Sequence, residues 1–149
     1  MRAVVQRVRT AKVTVAGKPV AEMGEGLLVL VGVGHADQTR DAHELARKLV
    51  HLRVFEDGAG KINESLLDTG GTLGLVSQFT LFGDTNKGRR PSFGRAAPAD
   101  VAEPLVEALA DAAREHGVAV VTGRFGATME VELVNAGPMT LLLDTQEAV

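Results

Sequence analysis

Apolar positions along this chain follow two rhythms, one for strands and one for helices. Between Gly26 and Gly32 every residue is aliphatic, which predicts a strand covered on both faces. Met1–Val8 and Lys12–Glu22 predict two more strands, the second turned back on itself at Gly17. Asp37 reads as the cap of a helix that runs to about Leu52, with Ala42, Leu45, Ala46, Leu49 and Arg53 at helical spacing. Leu52–Glu56 reads as a strand, and Asp57-Gly58-Ala59-Gly60 as the turn after it. Gly70-Gly71 opens a strand over Thr72–Leu81. Gly83–Pro98 has no period and is the longest loop. A second helix covers Pro104–His116, with Val101, Leu105, Ala108, Leu109 and Ala112 on its apolar side. Pro104 falls in its first turn, and Gly117 stops it. Val118–Thr122, Met129–Val134 and Met139–Asp144 are the last strands. About seven strands and two main helices make one α/β domain over residues 1–149, its helices segregated from much of the sheet.

Composition narrows the chemistry. The chain has no cysteine, which excludes disulfides, thiolate nucleophiles and cysteine-bound zinc. No carboxylate stands at metal-ligand spacing from His43, His51 or His116, so no metal site is expected. The apolar stretch over 26–34 is too short to span a bilayer, and Arg2 and Arg7 sit where a signal peptide is apolar; the expected location is cytoplasmic. The net charge of −3 argues against a general nucleic-acid coat. Yet Lys87, Arg89, Arg90 and Arg95 cluster in the long loop with no acid among them. That cluster is either a solvated surface loop or a small phosphate-binding patch for one particular nucleic-acid end.

Two segments carry the remaining chemistry. Ser77-Gln78-Phe79-Thr80-Leu81 and Asn135-Ala136-Gly137-Pro138-Met139-Thr140 each follow a β-branched-rich run. Neither contains an acid, a base or a thiol. A site built from them acts through positioned main-chain dipoles. Gly32-Val33-Gly34-His35-Ala36-Asp37 sits where a dinucleotide fingerprint would, but it lacks the third glycine and reads as a tight turn. His35 could pair with Thr80 or Ser77, though a turn residue explains it as well.

In these two motifs the chain resembles the D-aminoacyl-tRNA deacylases. The resemblance extends over Met1–Val8, Leu52–Asp57, Gly83–Thr85, Lys87–Phe93 and Thr122–Ala127, in order and at the family's spacing. It implies a barrel-like mixed or antiparallel sheet with two main helices packed on it. It also implies a homodimer that hydrolyses the ester between a D-amino acid and the 3′-terminal adenosine of tRNA. Glycine mischarged on tRNA-Ala is removed too, and no metal or organic cofactor is needed.

Carried onto this sequence, the resemblance places oxyanion donors at the Phe79 and Thr80 amides, with Gln78 and Ser77 positioning the substrate. Phe79 and Phe125 contact the base or ribose, or simply pack in the core. Thr80 has no evident base and is expected to shape the loop; the resemblance implies that water attacks, assisted by the ribose 2′-hydroxyl. D and L isomers have identical transfer free energies, and an apolar pocket cannot separate them. A rigid group standing where only an L side chain projects can do so. The resemblance assigns that task to a cis Gly137-Pro138 that reaches into the partner subunit's site, flanked by Asn135 and tethered by Arg7. Lys87, Arg89 and Arg90 are the candidate tRNA contacts. A broader esterase and a non-catalytic nucleic-acid-binding dimer are the competing readings.

Overall fold

A computed structural model describes residues 1–147. Its organising element is β1 (Arg2–Val15), which runs unbroken through the residues expected to separate two strands. Val8, Ala11 and Val13 stay buried while Arg9 and Thr10 are exposed. A register shift between Val8 and Thr10 absorbs the change of phase. Ala16 and Gly17, at φ 49° and 77°, turn the chain into β2 (Lys18–Met23), as the glycine foretold.

The fully apolar run becomes β3 (Gly26–Gly32). Helix α1 (Thr39–His51) follows, but Gln38 is its N-cap and Asp41, not Asp37, accepts the cap's N–H at 2.8 Å. Asp37 is buried instead, taking the Gly34 N–H at 2.7 Å and the Met1 amine at 2.5 Å. The expected strand at Leu52–Glu56 shrinks to β4 (Phe55–Glu56), paired with β5 (Ile62–Glu64). A short α2 (Leu66–Thr69) is capped by the Ser65 side chain. Strand β6 (Thr72–Ser77) then leads to α3 (Ala99–Glu115), β7 (Ala119–Thr122) and β8 (Glu130–Asp144).

Two expectations about α3 fail. It begins five residues before Pro104, which therefore lies more than a turn inside, on the exposed side where its missing N–H matters least. The earlier start moves Ala102 into the core and leaves Val101 39% exposed.

β1 pairs antiparallel with β3 over its first half and with β2 over its second. Its other edge carries β8 along its length. β3, β6 and β7 run parallel to one another, linked through α1 and α3. The result is a mixed, nearly closed barrel with the long helices on one side. One core lies between sheet and helices, built on Leu27, Val29, Leu45, Leu49, Leu73 and Leu109. A smaller one, with Val8, Val13, Met23, Leu28 and Val76, fills the barrel. Each such side chain contributes roughly 1.5–3 kcal/mol by burial. No helix among the described residues is long and apolar enough to cross a membrane.

Candidate active site

The strand expected to reach Leu81 stops at Ser77. The Gln78 N–H still donates to the Val31 carbonyl at 2.7 Å, and the chain then winds into a 3-10 turn over Phe79–Phe82. Phe82 is the reason. Its ring presses onto Gly34, where a β-carbon would sit 2.7 Å from it, and a β-carbon on Gly32 would lie 3.1 Å from both Leu81 and Phe82. The glycine pair of the tight turn thus makes room for the next motif. Arg2 clamps the turn from outside. Its guanidinium lies 4.5 Å from the Phe82 ring centroid and donates to the Leu81 carbonyl at 3.2 Å. Asp144 holds Arg2 at 3.0 Å. Burial pushes the Asp144 carboxyl up, but the Gln146 N–H and Arg2 outweigh it and hold it below its ordinary value.

Within the turn, the Leu81 N–H donates to Gln78 and the Gly83 N–H to Thr80. The first two amides, Phe79 and Thr80, have no acceptor among the described residues, as at any helix start. The Gln78 side-chain amide donates to the exposed Thr80 hydroxyl. Among the described residues no carboxylate or imidazole bonds that hydroxyl. His35 Nε2 is 2.8 Å from the Gly94 carbonyl, so the structure pairs it with the long loop rather than with Thr80 or Ser77.

Ser77, Gln78, Phe79 and Phe125 come together around a cleft of about 370 Å³, completed by small or aliphatic residues such as Ala97 and Val106. No side chain lining it titrates. Phe125 packs partly on the core and also lines the cleft. Ala99 and Ala102 bring the positive end of α3 to the same cleft. Sequence reading missed these alanines because it started the helix too late.

The second motif is not a turn between two strands. It is a bulge in the single strand β8: Thr140 pairs with Gln6 and Asn135 with Val8, so residues 136–139 leave the ladder opposite Arg7. Asn135 closes the bulge, its amide donating to the Arg7 carbonyl at 2.9 Å and the Met139 carbonyl at 2.8 Å. Arg7 braces it, through Nε to Ala136 at 3.2 Å and Nη1 to Val54 at 2.7 Å. The Gly137-Pro138 peptide is cis, Gly137 has φ 123°, and both residues are exposed. Within the chain this bulge does not enter the Ser77–Phe125 cleft. It borders a separate cleft with Arg7, Glu25 and Gly71.

The basic loop is a closed finger. Asp84 and Ser92 exchange two backbone hydrogen bonds, at 2.7 and 2.8 Å. Lys87, Arg89 and Arg90 stand exposed between them, without a carboxylate partner among the described residues. Among the described residues no cluster of three or more His, Asp or Glu could hold a metal ion.

Comparison with known proteins agrees with this architecture. A family model described as D-Tyr-tRNA(Tyr) deacylase matches residues 4–144. The D-aminoacyl-tRNA deacylase of Geobacillus sp. (strain WCH70) is 54% identical over 147 residues, covering 99% of this chain and 97% of that protein. That of Thermus aquaticus is 56% identical with the same coverage. A solved structure titled c-Myc DNA Unwinding Element Binding Protein superposes with a TM-score of 0.91 at 38% identity, covering 97% of this chain and 99% of that one. With the matched model spanning nearly the whole barrel and both motifs, the chain belongs to the D-Tyr-tRNA(Tyr) deacylase family.

Proposed function

We propose that this protein hydrolyses the ester of D-aminoacyl-tRNA, releasing the D-amino acid and free tRNA. Family membership supports the deacylase activity itself. The observation that carries the mechanism is the pair of unpartnered amides, Phe79 and Thr80, beside a cleft with no titrating side chain. An aminoacyl ester is already activated. What it needs is an oxyanion acceptor, and one such donor is worth ~10²–10³ in rate. Water attacks the carbonyl with help from the ribose 2′-hydroxyl, and Gln78 and Ser77 position the substrate. Thr80 shapes the turn through its bond from Gln78. Phe79 and Phe125 contact the terminal nucleoside.

Gly137-Pro138 excludes L isomers from the partner subunit's cleft, with Arg7 and Asn135 holding it rigid. Glycine, having no side chain to reject, is accepted. The register supports an arrangement across a dimer. Val4 pairs with Leu30 and Leu142, and Leu142 is 61% exposed. This apolar band lies between the Ser77–Phe82 segment, which β1 meets at Arg2 and Ala3, and the bulge opposite Arg7 near the middle of β1. The two are separated by about four to five residues of strand, roughly 13–17 Å. Two copies packed face to face about a two-fold axis bring each bulge toward the other's cleft. Lys87, Arg89 and Arg90 meet tRNA phosphates, and the setting is cytoplasmic.

Hydrolysis of D- and L-aminoacyl-tRNA in competition tests the reading. Strong D preference is expected; equal rates would indicate a broad esterase. A second reading, a nucleic-acid-binding dimer without catalysis, draws on the basic finger and on the 38% identical structure described as a DNA unwinding element binding protein. Turnover at catalytic protein concentration excludes it.

A further inference from the structure

Phe93, at the root of the basic finger, has no part in the mechanism above. It is 40% exposed in a chain with only 3% aromatic residues, and it does not turn into the core. Its ring meets Phe79 nearly edge-on, with centroids 5.2 Å apart and planes at 75°. Phe79 itself is 58% exposed and lines the cleft. The finger's root is fixed on three sides. Gly83 lies close, where a β-carbon would be 3.2 Å from the Phe93 ring, the Asp84–Ser92 bonds close the finger, and His35 binds Gly94. A continuous track results: cleft, Phe79, Phe93, then the cations at the tip. Exposed rings beside unpaired cations form the surface that holds single-stranded nucleic acid, with bases on π-faces and phosphates on lysine and arginine.

Resting on the deacylase reading, we propose that Phe93 stacks an unpaired nucleotide just before the terminal adenosine, while Lys87, Arg89 and Arg90 hold the phosphates on its 5′ side. The contact needs no base-edge hydrogen bonds, so it grips the strand without reading its sequence. It also explains an apolar ring held rigid at the surface.

The test compares two substrates, D-aminoacyl-tRNA and the D-aminoacyl ester of adenosine alone, which lacks the preceding nucleotides. Phe93→Ala is expected to lower kcat/KM on the tRNA by roughly 5- to 150-fold, the range for one lost stack, mostly through KM. On the adenosine ester kcat/KM is expected to stay close to the wild-type value. Phe93→Tyr restores tRNA cleavage and Phe93→Leu does not, which separates stacking from packing even if Phe93→Ala folds poorly. Equal losses on both substrates, or full rescue by leucine, would overturn the stacking role and leave Phe93 as a support for Phe79. A wild-type protein that cleaves neither ester would sink the deacylase reading itself, and the stacking role with it.

Discussion

Replacing Gly137 with alanine tests the bulge most directly. The added methyl falls 2.7 Å from Arg7 Nη2. Ordinary contact begins near 3.5 Å, so about 0.8 Å must be absorbed. Arg7 is not free to yield, because its Nη1 and Nε are bound to the Val54 and Ala136 carbonyls. Breaking one such charge-assisted bond costs about 1.5–3 kcal/mol. Gly137 also sits at φ 123°, and holding a β-carbon there costs of order 1–3 kcal/mol. Either the backbone shifts by most of an ångström or the arginine swings away. A displacement of about 1 Å at a positioned group lowers rate by ~10². The expected result for Gly137→Ala is a loss of 100-fold or more in kcat/KM on D-aminoacyl-tRNA, with the dimer intact and Tm lower by a few degrees. Hydrolysis of D-aminoacyl- and glycyl-tRNA, read alongside sedimentation and melting, measures all three. A fully active variant would refute the screening role.

Thr80→Ala should keep activity within about 10-fold, against the ~10²–10⁴ expected for loss of a proton-transferring group; a folded but inactive variant would make Thr80 the nucleophile. Reversing Arg89 and Arg90 to glutamate should weaken tRNA binding and flatten its log–log salt slope by about 0.7 per lost contact. An unchanged slope would return the finger to plain surface. Leu142→Asp should yield an inactive monomer by sedimentation, and a monomer with full activity would rule out a site shared between subunits. Asp144, whose folded carboxyl lies below its ordinary value of 3.8, adds stability above that pH and loses it as pH falls further. Melting temperatures of wild type should therefore drop below pH 4, and Asp144→Asn should show a smaller drop.

Much of this fold was legible because local pattern and burial agree. The aliphatic run of β3 and the stripes Leu45–Leu49 and Leu105–Leu109 fill the expected core. Where reading failed, the deciding partner was distant. Asn135-Ala136-Gly137-Pro138 has the composition of a turn, yet it is a bulge in one strand because Asn135 binds the Arg7 carbonyl, 128 residues away. Asp37 has the residue type of a cap, yet the Met1 amine claims it. One local signal was simply overlooked. Ser65 and Asp68 form a capping box that announces α2. Of the site, the small-residue wall at Ala99 and Ala102 carries no chemistry a sequence motif could flag.

Arg2 secures the Phe79–Phe82 turn and Arg7 the Gly137-Pro138 bulge, and both project from β1. A strand is a fixed-length gauge: its pitch sets how far apart the two fittings stand. Slippage by a single position would send every side chain on it to the opposite face. Deleting or inserting one residue between these arginines is thus expected to be intolerable, while changes of residue type between them that keep the register leave the calibration intact.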